Sequence, residues 1–106
     1  MTYSVFLSRR FERDIEDFFD YASAYSEAFS REQFTRLRRV IEIELATTPR
    51  VWATFFLTGE PYRAYLFRVG QRTSYWIVFR IAEERHRIDL MRFWNASRQP
   101  SSFRAR

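Results

Sequence analysis

The 106-residue sequence contains no cysteine and only one histidine, His86. Without thiols there is no disulfide framework and no thiolate metal site, and a single imidazole supplies too few nitrogen ligands for zinc. Neither a metal nor another cofactor is expected. Lysine is missing as well: all 18 basic side chains are arginine, set against 13 acidic ones for a net charge of +5. A surplus of this sign suits an acidic protein or a phosphate backbone as partner. Arginine serves bidentate contacts better than lysine does. These arginines also cover solvated helix faces, however, so only individually placed ones carry an argument. No apolar run approaches the roughly 20 residues needed to cross a bilayer. The start Met1-Thr2-Tyr3-Ser4-Val5-Phe6 lacks the charged segment and apolar block of a signal peptide. The expected compartment is the cytoplasm, with no membrane partner. Repeats, linkers and low-complexity stretches are absent, so residues 1–106 read as one domain.

What the chain does have is apolar and aromatic mass: 46% hydrophobic and 20% aromatic residues, enough for a folded core of modest size. Tyr3-Ser4-Val5-Phe6-Leu7 is a short β-prone run, and Ser8 after it is suited to cap a helix. Phe11, Ile15, Phe18, Ala22 and Tyr25 recur at spacings of four and three, the stripe of an amphipathic helix, with Glu12, Arg13, Glu16 and Asp17 on its other face. Ser30 and Gln33 have capping-box spacing, with Phe29 and Phe34 placed as a hydrophobic staple, so a second helix is predicted to start there. Phe34, Leu37, Ile41 and Leu45 form its buried stripe, with Val40 beside it, and Thr47-Thr48-Pro49 stops it. The two helices make an antiparallel hairpin around a polar turn at 23–26.

Residues 50–61 show no clean period, yet Val51, Trp52, Phe55, Phe56 and Leu57 are too apolar for a free loop and are expected to cover a core edge. Gly59-Glu60-Pro61 turns the chain into a strand over 63–69, and a hairpin connection at 70–73 leads to a strand over 74–81. On that strand Tyr75, Ile77, Phe79 and Ile81 face the helices, while Ser74, Trp76, Val78 and Arg80 are left for a partner. The last strand, 87–94, has Ile88 and Leu90 on one side and Asp89, Met91 and Phe93 on the other, so it is apolar on both faces, as a central strand is. The predicted class is α+β: an N-terminal strand, an α-helical hairpin, then a C-terminal antiparallel sheet packed on the helices.

This order of elements resembles the RelE/ParE superfamily, bacterial toxins of type II, two-gene toxin–antitoxin modules. Leu45-Ala46-Thr47-Thr48-Pro49 is similar to the leucine, three residues and proline that end the family's second helix. Tyr62-Arg63-Ala64-Tyr65-Leu66-Phe67-Arg68 resembles a strand in which arginine, leucine and arginine recur. Tyr75-Trp76-Ile77-Val78-Phe79-Arg80-Ile81 resembles the tyrosine-arginine-apolar-apolar-tyrosine-arginine strand. Arg92-Phe93-Trp94-Asn95-Ala96-Ser97-Arg98-Gln99-Pro100 resembles the closing arginine-apolar-tryptophan-histidine-x-x-arginine. The resemblance implies a RelE/ParE-like domain, a growth-inhibiting toxin, and an antitoxin partner whose acidic tail would suit a charge of +5.

Two departures from the pattern bear on the target. Trp76 stands where RNA-cleaving members carry arginine, and Asn95 where many carry histidine. Metal-free RNA cleavage needs a base for the 2′-hydroxyl, cations for the phosphorane and an acid for the leaving oxygen, and asparagine transfers no proton. Glu60 is the remaining candidate base, with Arg63, Arg68 and Arg98 on phosphate, although a glutamate beside a proline also reads as a solvated turn. His86, in Glu83-Glu84-Arg85-His86-Arg87, reads as part of an exposed turn. The favoured reading is a ParE-like toxin that inhibits DNA gyrase by binding, through Trp76, Arg80, Arg63, Arg68 and Arg98. The alternative structural role for Trp76 and Trp94 is to roof the sheet. A ribosome-dependent mRNA endonuclease is the second functional reading, and a non-toxic nucleic-acid-binding module the third.

Overall fold

The computed structural model describes residues 2–52, 54–57 and 60–97, with the backbone alone at 55–57 and 60. Strand β1 (Ser4–Leu7) leads into helix α1 (Arg9–Tyr25) and then α2 (Glu27–Arg39), which runs on into a wider π-helical segment, Val40–Leu45. A 3-10 turn, Pro49–Val51, precedes β2 (Thr54–Leu57), β3 (Glu60–Val69), β4 (Thr73–Ala82) and β5 (Arg87–Asn95). The strands form one five-stranded sheet in the order β1-β5-β4-β3-β2. Neighbours from β2 to β5 are antiparallel, and β1 lies parallel to β5. The α+β class expected from the sequence is thus the observed one, with β1 as a parallel outer strand. The unpatterned segment 50–61 also proves to supply an edge strand, β2, paired to the start of β3. Edge strands are short and tolerate irregular patterning, so no period of two announces them.

Helix α1 begins where its cap was expected. The Ser8 hydroxyl accepts the Phe11 N–H at 3.1 Å, satisfying one of the orphan donors of the first turn. The cap of α2 lies a turn earlier than the spacing of Ser30 and Gln33 suggests. It is Ser26, whose hydroxyl accepts the Phe29 N–H at 3.2 Å while its own N–H bonds Ala22 O at 2.9 Å. One extended residue therefore closes α1 and opens α2, and the polar turn shrinks to that position. Ser30 falls inside α2, where its hydroxyl accepts from Ser23 at 3.1 Å. The expected staple dissolves with it: Phe29 meets Tyr25, Phe34 meets Phe19, and Phe34 is left 54% exposed.

Between the helices and the sheet lies the core. Phe11, Phe18 and Ala22 of α1, with Leu37, Val40 and Leu45 of α2 and its extension, meet Phe67, Ile77, Phe79, Ile88, Leu90 and Phe93. Ile15 and Ile41 sit at its margin, partly buried. Gln33, next to this core, is also buried; its amide oxygen accepts from Arg36 Nη1 at 2.6 Å.

Phe93 belongs to this side of the sheet because of a bulge. The register slips so that Val78 faces Arg92 and Phe79 faces Leu90, leaving Met91 extra. Strict alternation would put Phe93 with Asp89, away from Ile88 and Leu90. The extra residue returns it to the helix face, where it stacks on Tyr75 with centroids 4.5 Å apart and planes at 4°.

Candidate functional site

The face of the sheet turned away from the helices carries Ala64, Leu66 and Arg68 on β3, paired across to Val78, Trp76 and Ser74 on β4. Part of it is closed by its own aromatics: Tyr62, Val78 and Trp94 are buried together, with Met91 packed against them. Trp94 therefore has the roofing role that the sequence left open. Trp76, flanked by Leu66 and Trp94 on its two neighbouring strands, remains 36% exposed. It is the apolar centre of what this face offers to solvent.

Arginines bracket that centre. Arg68 is exposed at one end, opposite Ser74. Arg80, with 42% of its side chain exposed, lies six residues further along β4 than Ser74, a separation of roughly 20 Å in an extended strand. Arg80 is also held from below. Its Nη2 reaches Asp89 Oδ2 at 3.2 Å, while Arg87 Nε reaches Asp89 Oδ1 at 2.7 Å, and the Asp89 side chain is only 3% exposed. A carboxylate buried to this degree needs such partners.

The remaining expected site residues are placed differently. Arg63 pairs with Phe79 and so lies on the helix side of the sheet. There its Nη1 donates to Arg50 O at 2.9 Å and Trp52 O at 2.8 Å, tying the 3-10 turn to β3. The face of Trp76 therefore has Arg68 and Arg80 but not Arg63. Glu60 opens β3, and its side chain, like the whole of Arg98, lies outside the described residues. Asn95 Oδ1 accepts from the Ser97 N–H at 2.9 Å and the Ser97 hydroxyl at 2.8 Å, locking the turn that leaves β5.

His86 is not the exposed turn residue its charged neighbours suggested. Its backbone is left-handed at φ 48°, and its ring stacks on Tyr3 with centroids 4.0 Å apart. Nε2 is buried and has no hydrogen-bond partner among the described residues. The reason is topological: β1 runs parallel to β5, so the residue preceding β1 lands on the residue preceding β5. Tyr3 and Arg50 then both engage Glu83.

Three charged residues with clear roles escaped the sequence reading: Asp14, Arg87 and Asp89. Asp89 had a signal, since it alternates with Ile88 and Leu90 in a strand read as central, where a carboxylate requires a counter-charge. Asp14 had none, because its partners come from the opposite end of the chain. Among the described residues no group of three or more histidine, cysteine, aspartate or glutamate side chains is arranged to hold a metal ion. No described helix is long and apolar enough to cross a membrane.

The family model of ParE toxins of type II toxin–antitoxin systems, parDE, matches residues 5–100. The chain belongs to this toxin family. The match runs from the second residue of β1 past the end of β5, so it takes in all but Ser4 of the described strands and helices. No curated relative matches. As a ParE toxin of a type II system, the protein has a cognate antitoxin as its partner.

Proposed function

We propose that the toxin arrests growth in the cytoplasm by binding DNA gyrase, through the sheet face centred on Trp76 with Arg68 and Arg80 at its ends. Arg98, in the closing motif, contributes from the chain's end. The observation that carries this reading is the spread of the arginines. Cleaving RNA without a metal requires a base, an acid and cations converging on one phosphate. Arg68 and Arg80 lie roughly 20 Å apart along the sheet, and Arg63 lies on its other side, where its Nη1 donates to two backbone carbonyls. An aromatic flanked by separated arginines is instead the composition of a protein-binding hot spot. Controlled expression in a bacterium, with DNA supercoiling and messenger-RNA integrity followed in the same cells, tests it. Loss of supercoiling with intact messages is the expected result; cut messages with normal supercoiling would establish the endonuclease instead.

A further inference from the structure

One row across the open face is organised around a single buried carboxylate. Phe6 of β1 pairs with Asp89 of β5, which pairs with Arg80 of β4. Asp89 takes Arg80 on one oxygen and Arg87 on the other. The Arg87 guanidinium, besides, lies over the Phe6 ring, 4.8 Å from its centroid. Each guanidinium has five N–H donors and spends one hydrogen bond on Asp89. Among the described residues no acceptor takes the others, and the two side chains are 42% and 25% exposed. These arginines thus differ from Arg63 and Arg92. Arg63 is held on the helix side of the sheet, its Nη1 donating to two backbone carbonyls, and Arg92, only 9% exposed, pairs with Asp14 at 2.8 Å.

We propose that Arg80 and Arg87, set by Asp89 and backed by Phe6, form a ready-made receptor for one carboxylate of an acidic protein segment. This rests on the gyrase-binding reading above and deepens it, by assigning the chemical group that the target presents to this end of the face. Two planar forks held by one carboxylate are already oriented, so little side-chain entropy is lost when a second carboxylate docks on their outward donors. The charge balance points the same way. Two guanidiniums less one carboxylate leave +1, the complement of a single aspartate or glutamate rather than of a phosphate dianion. A nucleic-acid track would need further arginines at phosphate spacing, and among the described residues the other exposed arginine on this face, Arg68, is roughly 20 Å away. Asp89 is accordingly a positioning residue, and Arg87 a binding residue that the family-like motifs do not contain.

Arginine Nε–Hε resonances of the purified toxin read this directly, titrated in parallel with a blocked tetraglutamate peptide, inorganic phosphate and a twelve-residue oligothymidylate. The peptide is expected to shift Arg80 and Arg87 saturably and to leave Arg68 unmoved. Arg87→Lys, which keeps the charge and loses the fork, should weaken the peptide about tenfold in protein whose backbone amide spectrum is still that of the folded toxin. Asp89→Asn separates positioning from neutralisation by sign: removing a competing negative charge would tighten the peptide if Asp89 only neutralises, and loosen it if Asp89 orients the forks. Loosening supports the proposal. Tightening, the absence of a saturable shift at Arg80 and Arg87, or preferential binding of phosphate or oligothymidylate there overturns it. Gyrase enters none of these titrations, so a wrong target leaves their outcome unchanged. Conversely, an absent receptor leaves the supercoiling assay to decide the target alone.

Discussion

The Asp14 carboxylate of α1 accepts the backbone N–H of Phe93 at 2.9 Å, on the edge of β5 that β1 leaves uncovered when it ends at Leu7. Ser8 serves the same edge just before it, donating its N–H to Leu90 O at 3.0 Å and its hydroxyl to Met91 O at 3.1 Å. The start of α1 thus replaces a missing strand, and the same carboxylate receives Arg92 Nε at 2.8 Å. Asp14→Ala is expected to cost about 3 kcal/mol, since it removes the carboxylate paired with a largely buried guanidinium and the acceptor of a strand N–H. Asp14→Asn keeps an acceptor for Phe93 and should cost about half as much. Urea-unfolding midpoints of the three proteins check the order.

Phe79 is fully buried in the sheet's helix-facing layer. Emptying that site in Phe79→Ala should destabilise the fold by about 3 to 5 kcal/mol. Val51, 68% exposed on the 3-10 turn, is the matched control, and Val51→Ala should stay within about 0.5 kcal/mol. Equal effects from the two changes would mean that the helices do not cover β4 as described.

What could be read from the sequence was what depends on short-range periodicity. The stripe of Phe11, Phe18 and Ala22, the cap at Ser8, and the alternation of Ile77 and Phe79 against Trp76 and Arg80 are all local. The bulge at Met91 is not, because one extra residue is visible only against the partner strand, and it moved Phe93 to the other face. Parity within β3 was visible and would have separated Arg63 from Arg68, since residues an odd number apart face opposite ways. At the start of α2, the capping-box spacing pointed to Ser30 alone, and Ser26 was read as part of the turn. Ser26 prevailed because α1 runs to Tyr25, leaving no extended residue nearer Ser30. The pairing of β1 with β5, and with it the stacking of His86 on Tyr3, joins the two ends of the chain and left no pattern in either.

Tyr65 gives a pH test of the packing. Its phenol is pushed above the ordinary value of 10.0, chiefly by burial and then by the Glu44 carboxylate, which accepts its hydroxyl at 3.3 Å. A raised folded-state pKa means that the neutral phenol is the form the fold favours. Its contribution is complete below the unfolded value and is lost as pH rises through the folded one. Stability should therefore fall more steeply above about pH 10 in the parent than in Tyr65→Phe. Parallel alkaline profiles for the two proteins would remove Glu44 and burial as the cause.

Growth arrest by binding requires no proton transfer. Glu60→Gln and His86→Asn are expected to leave arrest intact, asparagine being chosen because it tolerates the left-handed backbone at position 86. Abolition of arrest by either change, with the folded protein present at parent levels, would favour RNA cleavage.

The arginines on the two sides of the sheet respond to lysine in opposite ways. Arg63 holds two backbone carbonyls from the helix side, so Arg63→Lys should lower stability by about 1 to 2 kcal/mol and leave toxicity unchanged at equal folded levels. Arg80 lies on the same face as Trp76, four residues further along β4, and on the proposed reading a planar, bidentate contact to the target is lost when it becomes lysine although the charge remains. Each charged hydrogen bond forfeited costs about 1 to 3 kcal/mol of target binding, enough to reduce toxicity sharply in Arg80→Lys and, by the same reasoning, in Arg98→Lys. Antitoxin binding should be less affected, because these substitutions preserve the overall +5 that attracts an acidic partner at long range. Colony formation after induction, with antitoxin capture measured on the same proteins, distinguishes the cases. Full toxicity in both Arg80→Lys and Arg98→Lys would mean that a diffuse positive field suffices and that the target meets another surface of the toxin.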